Sequence, residues 1–269
     1  MVDIKKIIDE YDNIVIGAGA GLSAAAGFEY GGKTFMNNFA YMHEKYGYND
    51  MYSAGFHPFE TLEEFWGYWC KYILLNRYMD DGKDLYKRLF QLIKGKNYFV
   101  ITTNVDHQFQ KAGFSKERLF YMQGDYGLFQ CSRACHNKTY DNKEMILKMN
   151  ENLVDHKIPS SLIPFCPVCG APMTTNLRCD DFFAEDEGWH LAKKRYDEYL
   201  NKYSDKKILF LELGVGFSTP VWIKYPFMQM TYKNKKAKYV VIDKTQHSTI
   251  PEEIENQSIF INDDINKII

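Results

Sequence analysis

Five short runs of apolar residues constrain this 269-residue chain more than any other feature. They are "NIVIG" from position 13, "YFVITTN" (98–104), "KILFLELGVG" (207–216), "KYVVIDKT" (238–245) and "SIFIND" (258–263). Each is too short for a helix and too continuously apolar for a strand with one wet face, so each reads as a strand buried on both faces. Helical periodicity over about 3–11, 61–79, 82–94 and 187–203 separates them, and a further helix is expected from about Asp106. Strands alternating with helices predict an α/β fold with a doubly wound parallel sheet. The expected division is a Rossmann-like domain over 1–120 and 171–269, with a helical insert at about 33–95. A small module over 121–170 interrupts the α/β rhythm. Hydrophobic residues make up 45% and charged residues 25%, ample for a core of this size. A net charge of -2 argues against broad binding to nucleic acid or anionic membrane. No run approaches the roughly 20 apolar residues of a membrane span. The first residues lack the features of a secretory signal. The expectation is a cytoplasmic protein whose six cysteines are thiols or metal ligands.

Gly19, Gly21 and Ala24 fit the G-x-G-x-x-A form of a dinucleotide-binding turn, in which backbone N–H groups approach a pyrophosphate. The usual acid about 20 residues on is missing, because "FEYGGKTFMNNFAY" is no strand. A tight strand–helix turn without a ligand stays open as the other reading. Asp243, after "YVVI", stands where an acid could bind an adenosine ribose, or could be a solvated turn residue.

Cys131 and Cys135 form C-x3-C, and Cys166 and Cys169 form C-x2-C in "FCPVCGAPM". Two such pairs read as a closed tetrahedral Zn2+ site, although the 30-residue spacer between Cys135 and Cys166 is long. His136 and His156 are possible substitutes; Cys70 and Cys179 read as packing residues. The aromatic stretch over 56–78 reads as helical core, with a partner groove as the alternative.

In order along the chain these features resemble the sirtuin family. Its G-A-G-x-S-x-x-x-G is matched by Gly19, Ala20, Gly21, Ser23 and Gly27. Its T-Q-N-I-D is matched by Thr102, Thr103, Asn104, Val105 and Asp106, and its G-T-S-x-x-V by Gly216, Phe217, Ser218 and Val221. The resemblance implies that NAD is consumed as co-substrate, with cleavage at the nicotinamide bond. It also implies an inserted zinc and helical small domain. The NAD-binding set would be Gly19, Ala20, Gly21, Ser23, Gly27, Phe28, Thr103, Asn104, Asp106, Gln123, Gly214, Gly216, Ser218 and Asp243. Asn104, Asp106, Gln123 and Arg178 would act on the reacting ribose.

Three departures from the family pattern matter. Gln123-Gly124 stands where sirtuin deacetylases carry His-Gly, and a glutamine cannot serve as a general base, a role worth roughly 10²–10⁴-fold. Asp125 and His107 are the only other bases near it in sequence. The arginine after the glycine turn is gone from "GFEYGG", where Phe28 would close over the ribose. The acyl-lysine channel segment is rewritten to "TTNLRCDDFFAED", in which Arg178 either meets an acidic or phosphate group or pairs with Asp180 or Asp181. Together these departures resemble the class M, macrodomain-linked sirtuins. That resemblance implies mono-ADP-ribosylation of a protein acceptor, by analogy a lipoylated glycine-cleavage H-like carrier, reversed by a partner macrodomain hydrolase. An NAD glycohydrolase and an NAD- or ADP-ribose-sensing module without turnover are the alternatives.

Overall fold

A computed structural model describes residues 3–217, 220–244 and 250–269. Their strands are β1 (Asn13–Ala18), β2 (Asn97–Thr102), β3 (Leu119–Tyr121), β4 (Gly124–Cys131), β5 (Tyr140–Asp141), β6 (Met173–Leu177), β7 (Ile208–Leu213), β8 (Ala237–Ile242) and β9 (Ser258–Ile261). The chain forms two compact units. One comprises Met1–Gly27, Gly82–Gln123 and Glu187–Ile269, the other Phe28–Asp81 and Gly124–Asp186.

In the first unit six parallel strands lie in the order β3-β2-β1-β7-β8-β9. All five apolar runs are in this sheet, and both faces are covered, as continuous apolar strands require. On one face Ile14, Ile16, Val100, Leu209, Leu211 and Val240 pack with Leu85, Leu89 and Ile93 of the helix Asp84–Ile93. On the other, Val15, Phe99, Phe210 and Val241 meet Tyr196 and Tyr199 of the helix Glu187–Tyr203 and Phe227 of the helix Lys224–Lys233. The helix expected from about Asp106 begins two residues later, as Gln108–Lys111.

The second unit joins the helices Gly32–Tyr46 and Leu62–Ile73, a π-helical turn Leu74–Tyr78 and the helix Lys143–Glu151 to an antiparallel sheet in the order β5-β4-β6. Thr61 caps the helix Leu62–Ile73 by accepting from the Glu64 amide at 3.2 Å. Within the aromatic stretch Trp66, Tyr68 and Tyr72 are buried, as the core reading anticipated. Trp66 packs edge-on against Phe129 of β4, with ring centroids 4.9 Å apart.

These boundaries differ from those expected at 95, 120 and 171. The helix Asp84–Ile93 belongs to the first unit because its Leu85/Leu89/Ile93 stripe covers β1 and β2. Residues 171–186 belong to the second because β6 pairs with β4, Met173 opposite Cys131 and Leu177 opposite Gly124. The helical insert and the cysteine module thus share one compact unit. Among the described residues no helix is long and apolar enough to cross a membrane.

Candidate functional site

The carboxyl ends of parallel strands share one edge of their sheet. In the first unit the chain runs outward from β1 to β2 and β3, then returns to β7 on the other side of β1. That reversal creates the crevice where open α/β sheets bind ligands. The turns after β1, β2, β7 and β8 therefore bring Gly19, Ala20, Gly21, Ser23, Thr103, Asn104, Asp106, Gly214, Gly216 and Asp243 to one edge.

Backbone contact between two turns explains the glycines. Gly19 N–H donates to Leu213 O at 3.1 Å and Gly21 N–H to Gly214 O at 2.9 Å. A Cβ on Gly21 would lie 2.7 Å from Gly214 Cα, and one on Gly19 2.7 Å from Gly214 O. Gly214 itself has φ +59°. Gly27, at φ +89° with open space around it, supplies a turn conformation rather than a close approach.

Polar side chains lie beneath these turns. Asp106 is 2% exposed; its Oδ2 accepts from Ser23 Oγ at 2.5 Å and its Oδ1 from Gln108 N–H at 3.1 Å. Asn104 Nδ2 donates to Gly19 O at 2.9 Å and to the Tyr86 hydroxyl at 3.2 Å. The Tyr86 hydroxyl also lies 2.8 Å from Ser23 Oγ. Thr102 Oγ1 donates to Ala18 O at 3.0 Å and accepts from Asn104 N–H at 3.0 Å, fixing the start of the Thr103–Asp106 turn. Asp243 is buried at the end of β8. Gln123 is half-buried and closes the first unit's central segment. Ser218 lies outside the described residues.

Sequence reading missed Tyr86, which looks like one more core aromatic. It also missed a buried ion pair below the β7 turn, in which Lys224 donates to Glu212 and Tyr239 donates to the same carboxylate. Burial pushes the Glu212 carboxyl above its ordinary range against the pull of Lys224. The signal was a glutamate inside the apolar run "ILFLEL".

In the second unit Gly124 has φ +97°, and a Cβ there would lie 1.9 Å from Asn176 O, so the glycine of Gln123-Gly124 is required by the β4–β6 pairing. Asp125 is engaged as an ion-pair partner rather than poised as a base. Its Oδ1 accepts from Arg77 Nε at 2.8 Å and Gly127 N–H at 2.7 Å. His107, in the first unit, precedes its helix with φ 65°. Arg178 pairs with Glu185 at 2.6 Å rather than with Asp180 or Asp181, and its guanidinium stacks 4.2 Å from the Phe183 ring centroid. The chain turns back after β6, bringing Glu185 to it, while Asp180 Oδ1 accepts from Phe182 N–H at 2.8 Å. Phe28 is buried and begins this unit.

The cysteines converge despite their spacer because β4 and β6 run side by side and residues 140–151 fold away as β5 and a helix. Cys131 and Cys169 Sγ are 3.5 Å apart, Cys135 and Cys166 Sγ 3.6 Å, and all four sulfurs lie within 4.8 Å of one another. A tetrahedral zinc with Zn–S of about 2.3 Å needs sulfurs about 3.8 Å apart, so the set fits that ion. In the knuckle Cys166 N–H donates to Ala171 O at 2.7 Å and Gly170 takes φ +71°. His136 Nε2 lies 3.4 Å from Cys166 Sγ, beside the four sulfurs, whereas His156 stacks on Tyr41 at 3.7 Å.

No family model matches the chain. Among solved structures it resembles a sirtuin from work on substrate affinity (TM-score 0.58, 18% identity, 99% of this chain and 95% of that one). It also resembles a mutant Sir2 homologue in complex with 2'-O-acetyl ADP ribose (TM-score 0.62, 14% identity, 100% and 93%). At those identities the likeness shows the fold, and the fold is that of a sirtuin. A curated Staphylococcus aureus relative, a protein ADP-ribosyltransferase, is 40% identical over 267 residues, 99% of this chain and 84% of its own length. The chain belongs to the family of that relative, the sirtuin-type protein ADP-ribosyltransferases. A Fusarium oxysporum relative, a probable bifunctional ADP-ribose hydrolase/ADP-ribosyltransferase, is 30% identical over 92% of this chain, which spans 43% of that protein.

Proposed function

We propose that this chain cleaves NAD and transfers the ADP-ribose to a protein side chain, with little or no deacetylation. The observation that carries the reading is a hydrogen-bonded chain of Asn104, Tyr86, Ser23 and Asp106 at the sheet edge, with a glutamine at the sequence position of the deacetylase base. Nicotinamide departure needs positioning and stabilisation of positive charge on the ribose, not a strong base. Asn104 and Asp106 would hold the nicotinamide and its ribose, and Gln123 would orient a ribose hydroxyl or the incoming nucleophile. The glycine turn, Gly216 and Ser218 would take the phosphates, and Asp243 the adenosine ribose. Arg178 would meet an acidic or phosphate group once released from Glu185. The ribose–nicotinamide bond breaks, a bond to the acceptor forms, and the acceptor's proton passes to solvent. Cys131, Cys135, Cys166 and Cys169 would hold a structural zinc that pins the β4–β6 end.

Two structural relatives bound p53 peptides, and a protein acceptor fits that precedent. A lipoylated carrier protein is the acceptor we favour. The name of the Fusarium relative joins a transferase to an ADP-ribose hydrolase, in keeping with reversal by a macrodomain partner. The test is nicotinamide release from NAD with a lipoylated carrier, with an acetylated peptide and with neither, Asn104→Ala serving as control. Carrier-dependent release that gives ADP-ribosylated carrier and disappears in Asn104→Ala supports the reading. Release independent of acceptor makes the chain a glycohydrolase, and NAD binding without release makes it a sensor.

A further inference from the structure

The helix Asp84–Ile93 carries no residue the sequence marked as functional, yet its Tyr86 hydroxyl stands between two of the site's polar side chains. Tyr86 is fully buried, and Ser23 and Asp106 are 1% and 2% exposed. Donor and acceptor capacities fix the direction of the bonds. Asn104 Nδ2 can only donate, and Gly19 O can only accept, which sets the amide's orientation. The Tyr86 oxygen therefore accepts from Asn104. Ser23 gives its single proton to the Asp106 carboxylate, so its oxygen accepts the Tyr86 proton. The chain runs one way, from Asn104 N–H to Tyr86, from Tyr86 to Ser23, and from Ser23 to Asp106.

We propose that Tyr86 is a positioning residue that fixes the Asn104 amide and the Asp106 carboxylate in one arrangement. With both Nδ2 hydrogens committed to Gly19 O and Tyr86, Asn104 presents Oδ1 to the reacting ribose. Asp106 is held by Ser23 on one oxygen and by the Gln108 amide on the other. Tyr86 couples the two groups without itself touching substrate. A phenylalanine keeps the ring, which packs edge-on against Phe109 with centroids 5.0 Å apart, and removes only the oxygen. The inference rests on the proposed NAD cleavage for its kinetic consequence.

The experiment is Tyr86→Phe, with kcat and KM for NAD measured by nicotinamide release and NAD affinity by calorimetry. The expected result is a kcat lower by about 10- to 100-fold, the range a small misplacement produces, with KM and Kd for NAD within about threefold. Ser23→Ala cuts the same chain from the other side and should lower kcat over the same range; only its kcat is compared, because Ser23 is itself in the proposed NAD-binding set. The double variant should be no slower than the slower single, because both break one chain. An unchanged kcat in Tyr86→Phe overturns the inference. So does a parallel loss of kcat, NAD affinity and thermal stability, which describes a packing residue. Should Tyr86→Phe fail to fold, an unchanged kcat in Ser23→Ala overturns the inference. If the wild-type chain releases no nicotinamide, the functional reading has failed while the inference remains testable. In that event the Asn104 side-chain amide, followed by 15N NMR, should exchange with solvent at least tenfold faster in Ser23→Ala or Tyr86→Phe. Unchanged exchange overturns the positioning role.

Discussion

Gly214→Ala and Gly216→Ala make the same chemical change two residues apart and should give opposite results. Gly214 adopts φ +59°, where an alanine costs about 1–2 kcal/mol. Its Cβ would also lie 2.5 Å from Gly21 C and Leu22 N, backbone atoms that no rotamer change can move aside. Forcing the two turns apart adds about 1–3 kcal/mol, by the scale of overpacked cores. Together Gly214→Ala should cost about 2–5 kcal/mol, a Tm lower by roughly 5–15 °C for a chain of this size. A Cβ on Gly216 would meet nothing within 4 Å, and its φ lies outside the left-handed region. That substitution should leave stability within about 0.5 kcal/mol of wild type or raise it slightly by restricting the unfolded chain. Urea unfolding followed by circular dichroism, beside a thermal melt, measures both. Gly214→Ala within about 0.5 kcal/mol of wild type would refute the argument that the crossing of the β1 and β7 turns dictates these glycines.

The buried pair gives a second test. Lys224→Met strands Glu212 and should destabilise by about 3–5 kcal/mol, whereas Glu212→Met with Lys224→Met should cost only about 1–3 kcal/mol, for the buried Tyr239 hydroxyl left without its acceptor; urea midpoints decide, and a double variant worse than the single contradicts the pairing. In Lys224→Met burial is no longer opposed by a cation, so the raised Glu212 carboxyl binds a proton more tightly folded than unfolded. The Glu212 contribution to stability should then be fully present below about pH 4.5, the ordinary carboxyl range, and be lost as pH rises through the folded value. The stability of Lys224→Met relative to the double variant, followed over pH by urea midpoints, should therefore fall across that window; a flat or rising difference would contradict it. Purified protein should contain about one zinc per chain, and Cys166→Ser should lose it and lower the melting temperature; metal analysis showing no zinc in fresh wild type counts against the site. Gly124→Ala should be among the most damaging single changes in the second unit, read by yield and thermal melt, because its Cβ would lie 1.9 Å from Asn176 O.

Five of the six strands of the parallel sheet were legible as apolar runs, four of them because β1, β2, β7 and β8 are buried almost throughout; the three-residue edge strand β3 was too short to read. The strands β4 and β6, "GDYGLFQC" and "MTTNL", were not legible, because neither is continuously apolar and their pairing joins segments about 50 residues apart in sequence. The helix Asp84–Ile93 was legible as a helix, but not its packing on the parallel sheet apart from the rest of the insert at about 33–95, since periodicity shows an apolar stripe and not what covers it. The cysteine cluster was readable from its knuckle despite the long spacer, because the intervening chain folds away without parting the pairs. Tyr86 could not be read, since a buried tyrosine at helical spacing looks like packing until its hydroxyl finds partners. For Arg178 the sequence left open a substrate group or the neighbouring Asp180 and Asp181, and could not show that the turn after β6 brings Glu185 to it.

The most direct measurement puts the wild-type chain, NAD, an acetylated peptide and a lipoylated carrier protein in one tube and follows both proteins by mass spectrometry. A carrier that gains ADP-ribose while the peptide keeps its acetyl group is the predicted result. A peptide deacetylated at the rate of a histidine-bearing sirtuin, with the carrier unmodified, would contradict the reading of Gln123 and of the site around it.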